Sequence, residues 1–352
     1  AESGLRDAVI SPGSRNAPLN IALEAHPLIS THIVIDERSA AYVALGMALK
    51  TGVPTAVVCT SGTAALNHGT AIAEAYHHRI PLISITADRP SAVIEKGHGQ
   101  SVFQTGIFGN NCLRSFVIDE INMSTEAIIV ETKKAFDIAT SGGSVHINVP
   151  FAEPLYGLAP SQKFTLLSSH ERNVVDVEIP EAMIAENVKI LIISGSIPYY
   201  KRKTRLITFA GVCEKFSGIN GDAVVHSGDL LVAQNEIVSD ERKRPDIIIT
   251  LGTPTLSKAL RNTLIELGAD HYHVGLDGKG WDTFSTLKAS IEADPYFFLD
   301  ELSKTVKQDQ GYLNEWKGIS KEVDCSEIVW SDMKAFEVVL GGLPNNSSVH
   351  LS

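Results

Sequence analysis

Cysteine is scarce: four residues, Cys59, Cys112, Cys213 and Cys325, are scattered through a chain of 352. Their spacing makes neither a disulfide framework nor a metal knot. This excludes a disulfide-stapled secreted module and points to a reducing cytoplasm. Long apolar runs are missing as well. No stretch reaches the ~18 residues that a membrane-spanning helix needs, so no membrane partner is expected. Positive charge is in deficit, with 30 Lys and Arg against 41 Asp and Glu and a formal net charge of -11. Nucleic-acid binding needs a basic face, so nucleic acid is excluded as a partner, and the short basic run KRKTR at 201–205 reads as a solvated helix face. No GxGxxG follows a strand, and the SGT turn at 61–63 has no Walker lysine, which leaves dinucleotide and triphosphate sites without support. Small molecules of another kind remain as ligands. No signal-peptide pattern opens the chain, and the first apolar strand (8–10) comes so early that an opening helix is expected to be missing.

What is present is ordinary globular composition, 44% hydrophobic and 20% charged, and the length of 352 residues allows two domains or three. The organising stretch is 31–50, THIVIDERSAAYVALGMALK. A β-branched run at 33–35 suits a buried parallel strand, and after Asp36 the chain turns into an Ala-rich helix. Glu37 then stands at a strand's carboxyl end, where open α/β sheets collect their ligands. On this stretch alone an acidic residue opening a helix is ordinary capping. Ala40, Ala44 and Ala48 form a stripe that fits close approach of another helix or of a second subunit, and core packing explains it equally well.

The same grammar of strand, small-residue turn and helix recurs in DAVISPGSRNAPL, TAVVCTSGTAALN and PLISITADRP. A Gly-rich loop, GHGQSVFQTGIFG, and the segment HINVPFAEPLY follow. Arg15 arrives at the same sheet edge as Glu37 and offers a planar fork for a carboxylate, although it also reads as a surface arginine. Arg89 has the same choice, with Asp88 and Glu95 as alternative partners. His77 and His78 close a helix over 64–76 and read as structural.

The phrases SPGSR, DERSAA, TSGTAA, TADRP and NVPFAEPLY, in this order, resemble the pyrimidine-binding domain of thiamine-diphosphate enzymes. Within that superfamily they resemble the synthase family that makes SEPHCHC (2-succinyl-5-enolpyruvyl-6-hydroxy-3-cyclohexene-1-carboxylate) in menaquinone biosynthesis. The resemblance implies two doubly wound parallel-sheet domains, with a third, diphosphate-binding domain absent. It implies decarboxylation of 2-oxoglutarate followed by addition of the succinyl unit to isochorismate. Glu37 would be the catalytic group on the pyrimidine N1′, where apolar burial would help it share a proton. Pro12, Gly13, Ser61, Gly62 and Thr63 would join it around thiamine diphosphate. Ser14, Arg15, Arg89 and Gln100 would bind substrate, with Gln104 left open as an alternative to Gln100. Mg²⁺ or Mn²⁺ would be held by the missing third domain, and the enzyme would be a homodimer or homotetramer. Alternatives are another thiamine-diphosphate 2-oxo acid decarboxylase, an acetohydroxyacid-type synthase, or a non-catalytic α/β binding module.

The implied domains are a pyrimidine-binding unit over 1–155, a linker over 156–180, a Rossmann-like middle unit over 181–342 and the first strand of a third domain over 343–352. In the middle unit the pattern predicts strands at 189–194, 223–226, 246–251 and 271–275. It predicts helices at 201–216, 230–238, 255–267, 296–321 and 330–340. The turns at Gly195-Ser196 and Gly252-Thr253 could in principle hold a nucleotide. No Gly-Asp-Gly followed by Asn-Asn completes the family's metal and diphosphate motif: Gly221-Asp222-Ala223, Asp277-Gly278, Asn110-Asn111 and Asn345-Asn346 are decoys. The chain by itself is therefore expected to be inactive.

Overall fold

The computed structural model describes residues 3–156, 177–197, 203–235, 237–323, 332–344 and 347. Six strands make the first sheet: β1 Asp7–Ile10, β2 Ser30–Ile33, β3 Thr55–Cys59, β4 Leu82–Asp88, β5 Arg114–Val117 and β6 Val145–Pro150. Their order is β2-β1-β3-β4-β6-β5, and every neighbouring pair is parallel. The helices between them are α1 Ala17–Glu24, α2 Glu37–Thr51, α3 Thr63–Asn67, α4 Gly69–His77, α5 Ser91–Ile94 and α6 Thr125–Thr140. Central parallel strands are covered on both faces and therefore read as unbroken apolar runs. β3, TAVVC, is buried at all five residues.

α2 starts where Asp36 accepts the Ser39 N–H at 2.7 Å and stops at Gly52, whose φ of 71° gives the left-handed turn. Its stripe of Ala40, Ala44 and Ala48 is fully buried in one core with Val9, Val57, Ala71 and Ile72. Core packing thus accounts for the stripe.

Two expectations for this unit fail. The run 33–35 is not a buried strand: β2 ends at Ile33 and is an edge strand with β1 as its one neighbour. Ile33 and Ile35 are 63% and 82% exposed. The helix over 64–76 is broken at His68, whose N–H turns to the Ala65 carbonyl. The buried His68 ring bonds Ser84 Oγ on β4 at 2.9 Å, a contact that ties the break to the sheet.

The second sheet holds β7 Ile190–Ser194, β9 Ala210–Cys213, β11 Val224–Val225, β12 Ile247–Leu251, β13 Asp270–Gly275 and β14 Leu287–Glu292 in the order β11-β9-β7-β12-β13-β14. All its pairings are parallel. A small ribbon joins β8 Thr204–Arg205 to β10 Ile219–Asn220. Its helices are α7 Gly228–Gln234, α8 Lys258–Leu267, α9 Pro295–Thr305, α10 Gln310–Glu322 and α11 Asp332–Gly341. Both sheets are thus the expected α/β class.

The helix expected over 201–216 is instead β8, β9 and a short 3-10 turn from residue 203 on; residues 201 and 202 lie outside the described residues. Every residue of β9 is buried beside β7, so tertiary burial overrides the local pattern. The helix expected over 296–321 is two. Between them Gln308 accepts the Ile190 N–H at 3.0 Å, and Asp309 restarts the chain by capping Tyr312 N at 2.6 Å. β14 has no counterpart in the sequence reading. Residues 157–176 of the expected linker lie outside the described residues, as do 324–331, including Cys325.

The two candidate nucleotide turns close on each other. Thr253 N–H donates to Ser196 O at 2.9 Å, Ser196 N–H donates to Thr253 Oγ1 at 3.0 Å, and a Cβ on Gly195 would lie 2.2 Å from Thr253 O. The units meet where Arg79 pairs with Asp277 at 3.0 Å and lies 5.4 Å from the Trp281 ring, with His77 against the same indole. Among the described residues, no helix is long and apolar enough to cross a membrane.

Candidate functional site

Because all strands of the first sheet run the same way, the carboxyl ends of β2, β1, β3, β4 and β6 share one edge. Each delivers candidate residues there. After β1, Ser11 N–H bonds Val58 O on β3 at 2.9 Å, and Pro12 to Arg15 follow. Only glycine fits at 13, since a Cβ there would lie 2.5 Å from Thr60 Cβ. Pro12 and Ser14 are exposed.

Glu37 opens α2 and is half-buried, less deeply placed than an apolar pocket would make it. It faces the end of β3: burial pushes the Cys59 thiol well above its ordinary range, and the Glu37 charge pushes it further. Two residues beyond Cys59, Ser61 is 2% exposed, and its Oγ has no hydrogen-bond partner among the described residues. Gly62 takes φ +88°, and a Cβ on it would meet the Gln100 carbonyl at 3.0 Å. Thr63 is exposed at the start of α3.

Arg15 is 8% exposed and already engaged. Its Nη1 donates to Phe151 O at 2.9 Å, and its Nη2 pairs with Glu153 Oε1 at 3.1 Å, both partners lying just beyond β6. Arg89 follows β4, half-buried, and its Nε is buried without a partner among the described residues. Between the arginines lies Asp88, 1% exposed. Burial raises its carboxyl pKa, while Asn148, the Arg89 N–H and the charges of Arg15 and Arg89 pull it back.

The loop glutamines separate cleanly. Gln100 is exposed, with a left-handed backbone at φ 58°. Gln104 is fully buried and saturated, accepting from Gly62 N at 2.7 Å and donating to Ala87 O and to Asn148 Oδ1, both at 3.0 Å. Asn148, Thr86 and His146, which the sequence reading passed over, make the buried network beneath the edge together with Asp88, weighed there only as a partner for Arg89. Burial holds His146 down to about 4 and His68 down to about 3, so both rings are neutral. The readable signal was polar letters inside otherwise apolar strands, Ser84, Thr86 and Asp88 in LISITAD and His146 and Asn148 in VHINVP.

Among the described residues no three His, Cys, Asp or Glu side chains converge on a metal position. Asp222 is paired with Arg205 and Asp277 with Arg79; Asn345 and Asn346 lie outside the described residues. The edge therefore offers a carboxylate, an unpaired buried hydroxyl and an unpaired guanidinium nitrogen, with glycines that let backbone come close. This donor set suits a polar heterocycle and an organic acid.

Residues 1–107 match the family described as thiamine pyrophosphate enzyme, N-terminal TPP binding domain. Over nearly its whole length the chain is also similar to proteins named 2-succinyl-5-enolpyruvyl-6-hydroxy-3-cyclohexene-1-carboxylate synthase. That of Bacteroides thetaiotaomicron is 33% identical, covering 99% of this chain and 66% of the relative. That of Flavobacterium johnsoniae is 32% identical, covering 99% and 67%. That of Cytophaga hutchinsonii is 31% identical, covering 100% and 67%. The chain spans about two thirds of the length of these curated relatives. With the candidate residues on one strand edge and these likenesses, the chain belongs to the 2-succinyl-5-enolpyruvyl-6-hydroxy-3-cyclohexene-1-carboxylate synthase family of thiamine pyrophosphate enzymes.

Proposed function

We propose that this chain supplies the pyrimidine side of a thiamine-diphosphate site. The whole protein would use that site to decarboxylate 2-oxoglutarate and add the succinyl unit to isochorismate. The observation that carries the reading is Glu37 at the carboxyl edge of the sheet, its charge felt at Cys59, with the unpartnered Ser61 Oγ at the same edge. When bound, thiamine diphosphate supplies the electron sink that lets a 2-oxo acid lose carbon dioxide.

The chain's own residues do the rest. Glu37 holds a proton at N1′ of the pyrimidine. Pro12, Gly13, Ser61, Gly62 and Thr63 form the wall around that ring, and Gly13 and Gly62 let the backbone approach it. Arg89 offers its unpaired Nε to a substrate carboxylate. Arg15 offers the nitrogen now held by the exposed Glu153, and Ser14 and Gln100 line the rim. In the whole protein, Mg²⁺ or Mn²⁺ would be held with the diphosphate by a third, diphosphate-binding domain. Residues 1–155 form the pyrimidine-binding unit and 181–342 the middle unit. The free, buried Cys59, Cys112 and Cys213 are compatible with the cytoplasm.

A second copy of the chain is proposed to cover the site. Ile35, Leu66 and Phe103 in the segments that follow β2, β3 and β4, and Tyr42, Val43 and Leu49 along α2, are all exposed. An apolar surface of this kind favours a homodimer, or a homotetramer built from it.

Replacement of Glu37 by Gln in the full-length enzyme tests the reading. Turnover should fall by ~10² to 10⁴, the span usual for an acid-base group, with circular dichroism unchanged. Wild-type turnover in a folded Glu37→Gln enzyme would remove Glu37 from the chemistry and the reading with it.

A further inference from the structure

Gln104 makes three buried hydrogen bonds beneath the site, and two of them reach segments that the proposed function uses. Its Oε1 holds the N–H of Gly62, in the cofactor turn. Its Nε2 holds the carbonyl of Ala87, which leads into Asp88 and Arg89, and also Asn148 Oδ1. Gln104 sits four residues beyond Gln100 on one loop, and the Gln100 backbone packs on Gly62 so closely that a Cβ there would lie 3.0 to 3.2 Å from it.

The network behind Gln104 has one direction of donation. Asn148 Nδ2 donates to Asp88 Oδ2 at 2.7 Å, which leaves Asn148 Oδ1 as the acceptor for both Gln104 and the Thr86 hydroxyl. With its own hydrogen committed, Thr86 Oγ1 accepts from His146 Nε2 at 2.8 Å. The neutral His146 ring then accepts at Nδ1 from the Ser115 hydroxyl at 3.0 Å, and Ser115 Oγ in turn accepts the Gly106 N–H at 3.3 Å. The loop is therefore pinned at two places, Gln104 and Gly106, to strands β4, β5 and β6.

We infer that Gln104 is a positioning residue that sets the cofactor turn at Gly62, the Gln100 loop and the approach to Arg89 as one unit. It would fix cofactor and substrate geometry together without touching either. A buried amide with every donor and acceptor used is rigid, and removal of one partner strands the others. Displacements of about 1 Å in such support cost up to ~10² in rate.

This inference rests on the proposed thiamine-diphosphate function, and the experiment separates the two. In the full-length enzyme, Gln104→Glu keeps the acceptor for Gly62 and loses the donations to Ala87 and Asn148. Gln104→Asn keeps the amide but falls one bond short. Both should raise the Kd for thiamine diphosphate and the KM for 2-oxoglutarate together, by roughly 10- to 100-fold. The Gln104→Glu defect should shrink as pH falls, because a protonated carboxyl can donate again. A purely structural role predicts another split: a smaller folded fraction lowers kcat while Kd and KM keep their wild-type values. That outcome, or wild-type kinetics, overturns the inference. If neither Gln104 variant folds, Ser115→Ala at the outer end of the network decides. It should raise both constants by about threefold or more, and unchanged constants would overturn the inference. Glu37→Gln runs in the same assay: full activity there sinks the proposed function itself, whereas an inactive Glu37→Gln beside unaltered Gln104 constants sinks only this inference.

Discussion

Two arginines at one sheet edge differ in what they have left to give. Arg15 spends Nη1 on Phe151 O and Nη2 on Glu153, while Arg89 keeps a buried Nε without a partner among the described residues. Lysine retains the charge of either but not the fork. Arg89→Lys should therefore raise the KM for 2-oxoglutarate or isochorismate by about tenfold or more and barely move the Kd for thiamine diphosphate. Arg15→Lys should raise KM as well and also lower the melting temperature, because it abandons a part-buried bond to the main chain. Unchanged KM in both folded variants would assign the pair to ion pairing alone. The motifs made these residues legible, since SPGSR and TADRP fall at strand ends. Their partners were not. Glu153 lies 138 residues from Arg15 in sequence, and nothing local marks such a meeting. Between Gln100 and Gln104 the motif favoured Gln100 without deciding, because burial and not residue type separates the exposed amide from the buried one.

Elements were readable where burial on both faces wrote a near-continuous apolar run, as in β3, β7 and β12. They were misread where neighbours decide: β2 looks like a core strand yet stands at an edge, and β9 looks helical yet is clasped by β7 and β11. Polar residues inside these elements carry a pH cost. His146 on β6 and His271 and His273 on β13 are held down to about 4, and His68 between α3 and α4 to about 3, chiefly by burial. In the fold these rings stay neutral, while the unfolded chain protonates them below their ordinary 6.5. The unfolded state then binds more protons, so stability falls as pH drops from about 6.5 toward 4. Asp88, whose pKa is raised, works the other way at the acid end of that window. The urea midpoint should accordingly be lower at pH 5 than at pH 7. His146→Gln, which retains hydrogen bonding without titrating, should flatten that slope by up to one proton's share, ~1.4 kcal/mol per pH unit. An identical slope in the variant would mean that His146 titrates alike in both states.

At the scale of the whole molecule, α2 explains why a helix so poor in charge can end a strand at the surface. One face, Ala40, Ala44 and Ala48, is consumed by the core. The opposite face carries Tyr42, Val43, Gly46 and Leu49, all exposed, beside the edge strand with Ile33 and Ile35. From sequence the Ala stripe fitted either core or subunit contact, because period alone cannot say which face meets what; the structure gives the small residues to the core and leaves the large ones outside. Exposed apolar residues spread along one helix face are costly in water unless a partner covers them. A two-fold contact through this face would bury it in both copies and shield each Glu37 from solvent. Val43→Glu combined with Leu49→Glu leaves the core stripe untouched and sets like charges across such a contact. In the full-length protein, sedimentation velocity should shift from dimer toward monomer, and thiamine-diphosphate binding should weaken in step, with the melting transition of the isolated fold retained. If the double variant kept the wild-type sedimentation coefficient and cofactor affinity, this face would not be the one that closes the site.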